Sequence, residues 1–164
     1  MIVERVAQAE GAGVKLLALP ELCVTGYTCQ DLFFSDALMD AAMAALGRIL
    51  DKTREMDVIF CVGIPLRFMG KLFNCAVAVH RGRVLGVAPK AYLPNHSEFY
   101  ELRQFTPAFP AGDIRQIGIL GQVVPVGTPL VFRNAAMPEY AFGIEICEDL
   151  WAADPPSRRI SEAG

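Results

Sequence analysis

The sequence predicts an α/β (α+β) domain in which helices cover a sheet. Two observations on the order of segments carry this. An amphipathic stretch, a short apolar run and a longer amphipathic stretch open the chain, and three runs rich in Val, Ile and Phe follow. A third observation is bulk: hydrophobic residues are 53% and charged residues 20%, which supplies a core and excludes a mainly disordered chain. At 164 residues the chain has the size of one domain.

Residues 2–10 carry Ile2, Val6 and Ala9 at helical spacing, and Gly11 and Gly13 stop the helix. The run KLLALPE (15–21) reads as a strand buried on both faces. Residues 35–55 open with a Ser or Asp cap and repeat Leu38, Ala42, Ala45 and Ile49, which predicts a long helix. The runs 57–68, 72–80 and 83–90 are broken at Met69-Gly70 and Arg81-Gly82, both suited to hairpin turns, and so form a meander. A short helix is expected over 97–104, then a Gly- and Pro-rich stretch, a segment PLVFRN (129–134) and a further buried strand YAFGIEIC (140–147). EDLW opens a turn or helix before Pro155-Pro156. The first helix lacks a preceding strand and ISEAG (160–164) starts another helix, so the chain reads as a fragment whose uncovered apolar layer favours self-association.

Charge and cysteine usage remove several function classes. Fifteen basic against eighteen acidic residues leave a net charge of −3, which argues against a nucleic-acid surface or a polybasic membrane patch. No apolar run reaches the roughly 18 residues of a membrane span, and the N-terminus carries charges where a secretory signal has its apolar core. Five cysteines with no CxxC pair favour free thiols and a reducing, cytoplasmic setting. Two histidines, His80 and His96, cannot build a His-rich metal site. GIPLRFMGK (63–71) has the wrong glycine spacing for a phosphate loop, and no GxSxG elbow occurs.

Three segments each set a reactive side chain at the end of an apolar run: Glu21 in LPELCVTGY, Lys90 in APKAYLPN and Cys147 in GIEICEDLW. In α/β sheets the carboxyl edge of the strands is where ligands bind. The types suit one chemistry. A thiol with an ordinary pKa of about 8.5 needs a base, a glutamate can be that base, and an ammonium can stabilise the oxyanion formed on a carbonyl. Attack of the thiol on an amide releases ammonia and leaves a thioester for water. Cys61 and Cys75, on apolar runs, read as small core residues.

LPELCVTGYTCQDLF, KAYLPN with EFYE, and CEDLW resemble, in order, the Glu, Lys and Cys motifs of the nitrilase (carbon–nitrogen hydrolase) superfamily. Their wording is most similar to the glutamine-amidotransferase domains of the glutamine-dependent NAD⁺ synthetase family. The resemblance spans nearly the whole chain and implies part of a four-layer αββα sandwich. It implies Glu21 as general base, Lys90 as oxyanion-stabilising lysine and Cys147 as nucleophile, with Glu98 as a second glutamate beside the lysine. The backbone N–H of Glu148 becomes a further oxyanion donor. Tyr27 and Phe99 become pocket-lining aromatics, and His96 stands where relatives often carry a substrate-touching tyrosine.

The same resemblance implies that residues 1–164 are a partial glutaminase domain, expected to be inactive in isolation. The first strand, a C-terminal part gripping the α-amino and carboxylate groups of glutamine, and a synthetase domain all lie outside it. That domain would use ATP and Mg²⁺ to amidate deamido-NAD⁺; no cofactor is expected here. Glutamine, the synthetase domain of the same protein and further copies in a homo-oligomer are the expected partners, with no nucleic acid and no membrane. Two other readings stay open: a stand-alone amidase or carbamoylase, and a catalytically silent interaction module.

Overall fold

The computed structural model describes residues 1–163. Helix α1 (Ile2–Gly11) is followed by strand β1 (Leu16–Ala18), an irregular 3₁₀ segment Tyr27–Phe34 and helix α2 (Asp36–Lys52). The meander has the expected three strands, β2 (Ile59–Phe68), β3 (Lys71–His80) and β4 (Arg83–Pro89). Its turns place Met69 at φ 51° with Gly70 at 70°, and Arg81 at 48° with Gly82 at 70°. Two consecutive left-handed residues are what a two-residue hairpin needs to match strand twist.

Sequence and structure differ at several elements. The helix expected over 97–104 is the single turn α3 (Glu101–Gln104), because Ser97 turns left-handed at φ 52°. The Gly- and Pro-rich stretch holds a hairpin, β5 (Arg115–Ile119) and β6 (Gln122–Val126), in which Ile117, Ile119, Val124 and Val126 are buried. Beyond it lie β7 (Phe132–Arg133), β8 (Ala141–Phe142), a 3₁₀ turn Cys147–Trp151 and helix α4 (Pro156–Glu162). The strand expected over 140–147 therefore stops after two residues, since its partner β7 is itself only two residues long. β1 is not buried on both faces: it is the edge strand, with Leu16 and Leu17 half-buried and Ala18 exposed.

The main sheet runs in the order β1-β2-β3-β4-β6-β5. β1 is parallel to β2, β3 antiparallel to β2 and β4, and β4 parallel to β6. β1, β2, β4 and β6 thus point one way, and the carboxyl ends of β1 and β4 lie on the same edge. One face carries Phe60, Val62, Ile64 and Leu66 against Val6 of α1 and Ala42, Leu46 and Ile49 of α2. These even positions on β2 follow the twofold alternation of a strand, and the helix stripe follows the 3.6-residue repeat.

The opposite face is built from small residues, because the register sets Cys61 beside Ala78 and Gly86, and Gly63 beside Ala76 and Ala88. Small side chains let a second layer come close: a Cβ on Gly86 would lie 3.0 Å from the Phe132 ring. Phe132 stacks on Phe142 with ring centroids 5.0 Å apart, forming the small sheet β7–β8. α4 in turn rests Ile160 against Gly143. The layers follow the expected order of helix, sheet, sheet, helix. No helix among the described residues is long and apolar enough to cross a membrane.

Gly63 seats the segment after β1. A Cβ there would lie 2.5 Å from the Pro20 carbonyl oxygen and 2.8 Å from the Glu21 carbonyl carbon. Gly63→Ala is expected to cost about 1–3 kcal/mol through overpacking, read as a lower denaturation midpoint. Because backbone rather than a side-chain tip is struck, Glu21 must move as well.

Candidate active site

The edge shared by the ends of β1 and β4 gathers the site. Two backbone bonds pin the turn carrying Glu21 to β2: Leu19 N–H donates to Cys61 O at 3.0 Å and Val24 N–H to Gly63 O at 3.1 Å. Leu22, fully buried at φ 50°, turns the chain so that the Glu21 carboxylate faces back over the sheet. Lys90 follows Pro89 at the end of β4, and its N–H donates to Asn74 O at 2.8 Å. β3 runs between the two, so Asn74, near its start, lies at the same edge.

Five side chains close a polar cluster there. The Lys90 ammonium, with no exposed surface, donates to Glu21 Oε1 and to Glu101 Oε1, both at 2.7 Å. Asn74 Nδ2 donates to Glu21 Oε1 at 2.5 Å and to Glu101 Oε2 at 3.4 Å. Tyr27 Oη donates to Glu101 Oε1 at 2.8 Å. Burial alone would lower the Lys90 pKa, but bonds from Glu101 and Glu21 outweigh it and hold the ammonium above its ordinary value. Burial and the Glu101 carboxylate push the Tyr27 phenol well up, so it stays a donor. Glu21 Oε2 has no hydrogen-bond partner among the described residues, which leaves one oxygen able to take a proton.

Cys147 is exposed and opens the 3₁₀ turn at φ 48°. A non-glycine residue held there costs on the order of 1–3 kcal/mol, and such strain clusters at functional sites. Glu21 and Cys147 both border a cavity of about 480 Å³ between the main sheet and residues 142–147. Partial burial pushes the thiol up, the Lys90 charge pulls it down, and the Glu21 and Glu101 carboxylates push it up again. The net is a thiol above its ordinary value, so at neutral pH it carries its proton and needs a base. The backbone N–H of Glu148 also pulls the thiol down.

The aromatics gather as well. Tyr27 meets Phe99 edge-on with centroids 6.4 Å apart, and His96 meets Phe99 at 5.8 Å. His96 Nε2 lies 3.9 Å from Glu148 Oε1, beside the nucleophile turn. A second cleft of about 360 Å³ is lined by Tyr27, Glu98, Tyr100 and Glu101.

Two expectations are corrected. The glutamate on Lys90 is Glu101, 4% exposed, whereas Glu98 stands exposed on the rim of the second cleft. The cause is local: Glu101 opens α3 with its N–H on Pro94 O at 3.2 Å, while Glu98 follows the left-handed Ser97. Cys61 is only half-buried where it borders the 480 Å³ cavity, while Cys75, which also borders it, is fully buried as expected. Asn74 was missed; its signal was a lone amide inside the apolar run LFNCAVAVH, where a buried polar group needs partners.

The sequence profile of carbon-nitrogen hydrolases matches residues 1–155. The chain belongs to the carbon-nitrogen hydrolase family. Among its relatives within that family, the glutamine-dependent NAD(+) synthetase of Mycobacterium bovis is 40% identical over 152 residues, covering 93% of this chain and 22% of the relative. That of Mycobacterium leprae is 38% identical over 159 residues, covering 96% of this chain and 23% of the relative. A solved glutamine-dependent NAD(+) synthetase from Cytophaga hutchinsonii superposes with a TM-score of 0.80 at 32% identity, covering 90% of this chain and 24% of that one. A carbon-nitrogen hydrolase fold is also shared with an amidase from Nesterenkonia, TM-score 0.56 at 21% identity. The chain thus spans 22% to 23% of the length of these curated synthetases.

Proposed function

We propose that this carbon-nitrogen hydrolase domain, within a longer protein that supplies the rest of the glutamine site, hydrolyses the side-chain amide of glutamine through a thioester on Cys147. The observation that carries the reading is the Lys90 ammonium, buried between the Glu21 and Glu101 carboxylates at 2.7 Å each, beside a strained cysteine bordering the same cavity as Glu21. Glu21 Oε2 takes the thiol proton, and the thiolate attacks the amide carbon. The carbonyl oxygen becomes an oxyanion held by Lys90 and the Glu148 N–H. Collapse breaks the carbon–nitrogen bond, the departing nitrogen takes the proton from Glu21, and ammonia leaves. Water, deprotonated by Glu21, then cleaves the thioester and releases glutamate. Tyr27, Phe99 and His96 line the approach of the substrate.

In a longer protein built like its relatives, the ammonia would feed amidation of deamido-NAD⁺. The ATP and Mg²⁺ for that step belong to the portion outside this chain. Exposed Leu32, Phe34, Leu150 and Trp151 are apolar surface suited to a synthetase domain or further copies.

Glu21→Gln tests the base. It keeps the shape and the oxygen facing Lys90 but cannot take a proton, so glutamine hydrolysis should fall about 10²–10⁴-fold. The assay is release of labelled ammonia from amide-labelled glutamine. Iodoacetamide should modify Cys147 ahead of Cys61, whose thiol burial raises to about 11, and the Cys147 rate should climb as pH rises past the ordinary thiol range. Unchanged hydrolysis in Glu21→Gln, or a Cys147 no more reactive than Cys61, would leave the silent-module reading in its place.

A further inference from the structure

We propose that Asp149 is a positioning residue that sets the lysine segment in register with the nucleophile turn, an inference that rests on the hydrolysis reading above. Asp149 is 1% exposed. Its Oδ1 accepts the backbone N–H groups of Ala91 at 3.0 Å and Tyr92 at 2.8 Å, and its Oδ2 accepts that of Ile146 at 3.0 Å. The Asp149 N–H donates back to Ile146 O at 3.1 Å and closes the turn around Cys147. No ion-pair partner of this carboxylate occurs among the described residues.

A buried carboxylate without a cation is costly, and it persists where several amides satisfy it. Here the amides come from two segments that no strand ladder joins. Ala91 and Tyr92 follow directly on Lys90, and Ile146 directly precedes Cys147. One side chain therefore fixes the chain on either side of the gap between ammonium and sulfur. Tyr92 Oη donates to Asp154 O at 2.9 Å, a second tie between the same segments farther out. An apolar residue could fill this space but could not join both sides. An asparagine has one acceptor oxygen, so it can satisfy the Ala91–Tyr92 pair or Ile146, not both.

The expected result of Asp149→Asn has a diagnostic sign. The groups acting on the Cys147 thiol are Lys90, Glu21, Glu101 and the Glu148 N–H. If the bracket opens, Lys90 recedes from the sulfur, and the midpoint of Cys147 alkylation against pH moves upward. Loss of a negative charge without movement would shift that midpoint downward or leave it in place. Hydrolysis of glutamine should lose about ten- to hundredfold in kcat with KM little changed, as expected for a lost charge-assisted bond acting on the chemical step.

Hydrogen exchange on the unsubstituted protein provides a second arm that needs no variant to fold. The amides of Ala91, Tyr92 and Ile146 belong to no helix or strand, yet they should exchange slowly and together. Exchange at the rate of open loop amides would overturn the bracket. So would an Asp149→Asn protein that melts lower but keeps its kcat and its alkylation midpoint, since the role would then be structural only. Failure of the hydrolysis reading is distinct: Cys147 of the unsubstituted protein would label no faster than Cys61, whatever the three amides do.

Discussion

Replacing Cys147 by alanine is expected to abolish glutamine hydrolysis, with a loss on the order of 10⁶-fold, the scale seen when a covalent nucleophile is removed. Neither Cys75 nor Cys23 can substitute. Cys75 is fully buried, which holds its thiol well above the ordinary value. Cys23 is raised by burial, and its sulfur donates to Gly63 O at 3.7 Å. Cys23→Ala and Cys75→Ala should therefore alter stability and leave turnover within a few-fold. Cys75→Ala removes only one buried sulfur, so the cost should stay within about 1–2 kcal/mol. In a longer protein that carries a synthetase domain, Cys147→Ala should stop synthesis driven by glutamine and spare synthesis driven by added ammonia. Parallel measurement with the two nitrogen donors separates a lost nucleophile from a damaged fold. Normal glutamine-driven turnover in Cys147→Ala would end the catalytic assignment.

The parts of the site that could be read in the sequence are those fixed by strand ends. Glu21 and Lys90 each follow an apolar run, and the parallel strands β1 and β4 carry their ends to one edge whatever the loops do. Cys147, by contrast, closes an apolar run that leaves its strand at Phe142 and reaches the site through a 3₁₀ turn. The hairpin turns were legible for the same reason, because Met69-Gly70 and Arg81-Gly82 favour left-handed backbone. What escaped depended on partners distant in sequence. Asn74 lies 53 residues from Glu21 in the chain, and only the β2–β3–β4 register brings them together. Glu101 and Glu98 are equivalent by composition, and a single left-handed residue, Ser97, decides which of them turns inward. The β5–β6 hairpin was hidden by Gly118, Gly121 and Pro125, although Ile117, Ile119, Val124 and Val126 alternate as strand residues should.

Lys90→Met is the substitution expected to damage both stability and chemistry. Methionine matches the length of the aliphatic stem, so the space stays filled. The two carboxylates then face one another with only Asn74 between them. Glu101 is 5% and Glu21 17% exposed at the side chain, so water can relieve Glu21 only in part and Glu101 hardly at all. Breaking a buried ion pair by removing one partner typically costs about 3–5 kcal/mol, because the remaining charge is left uncompensated. The double variant Lys90→Met with Glu101→Gln divides the two losses. A neutral amide at 101 removes the repulsion and can still accept from Tyr27, so most of the stability should return in denaturant unfolding. Hydrolysis should stay lost, because the oxyanion still lacks its ammonium, a term worth about 2.7–4 kcal/mol for a single preorganised donor. Recovery of activity together with stability would mean that Lys90 serves only to neutralise the cluster, and the oxyanion role would pass to the Glu148 N–H alone.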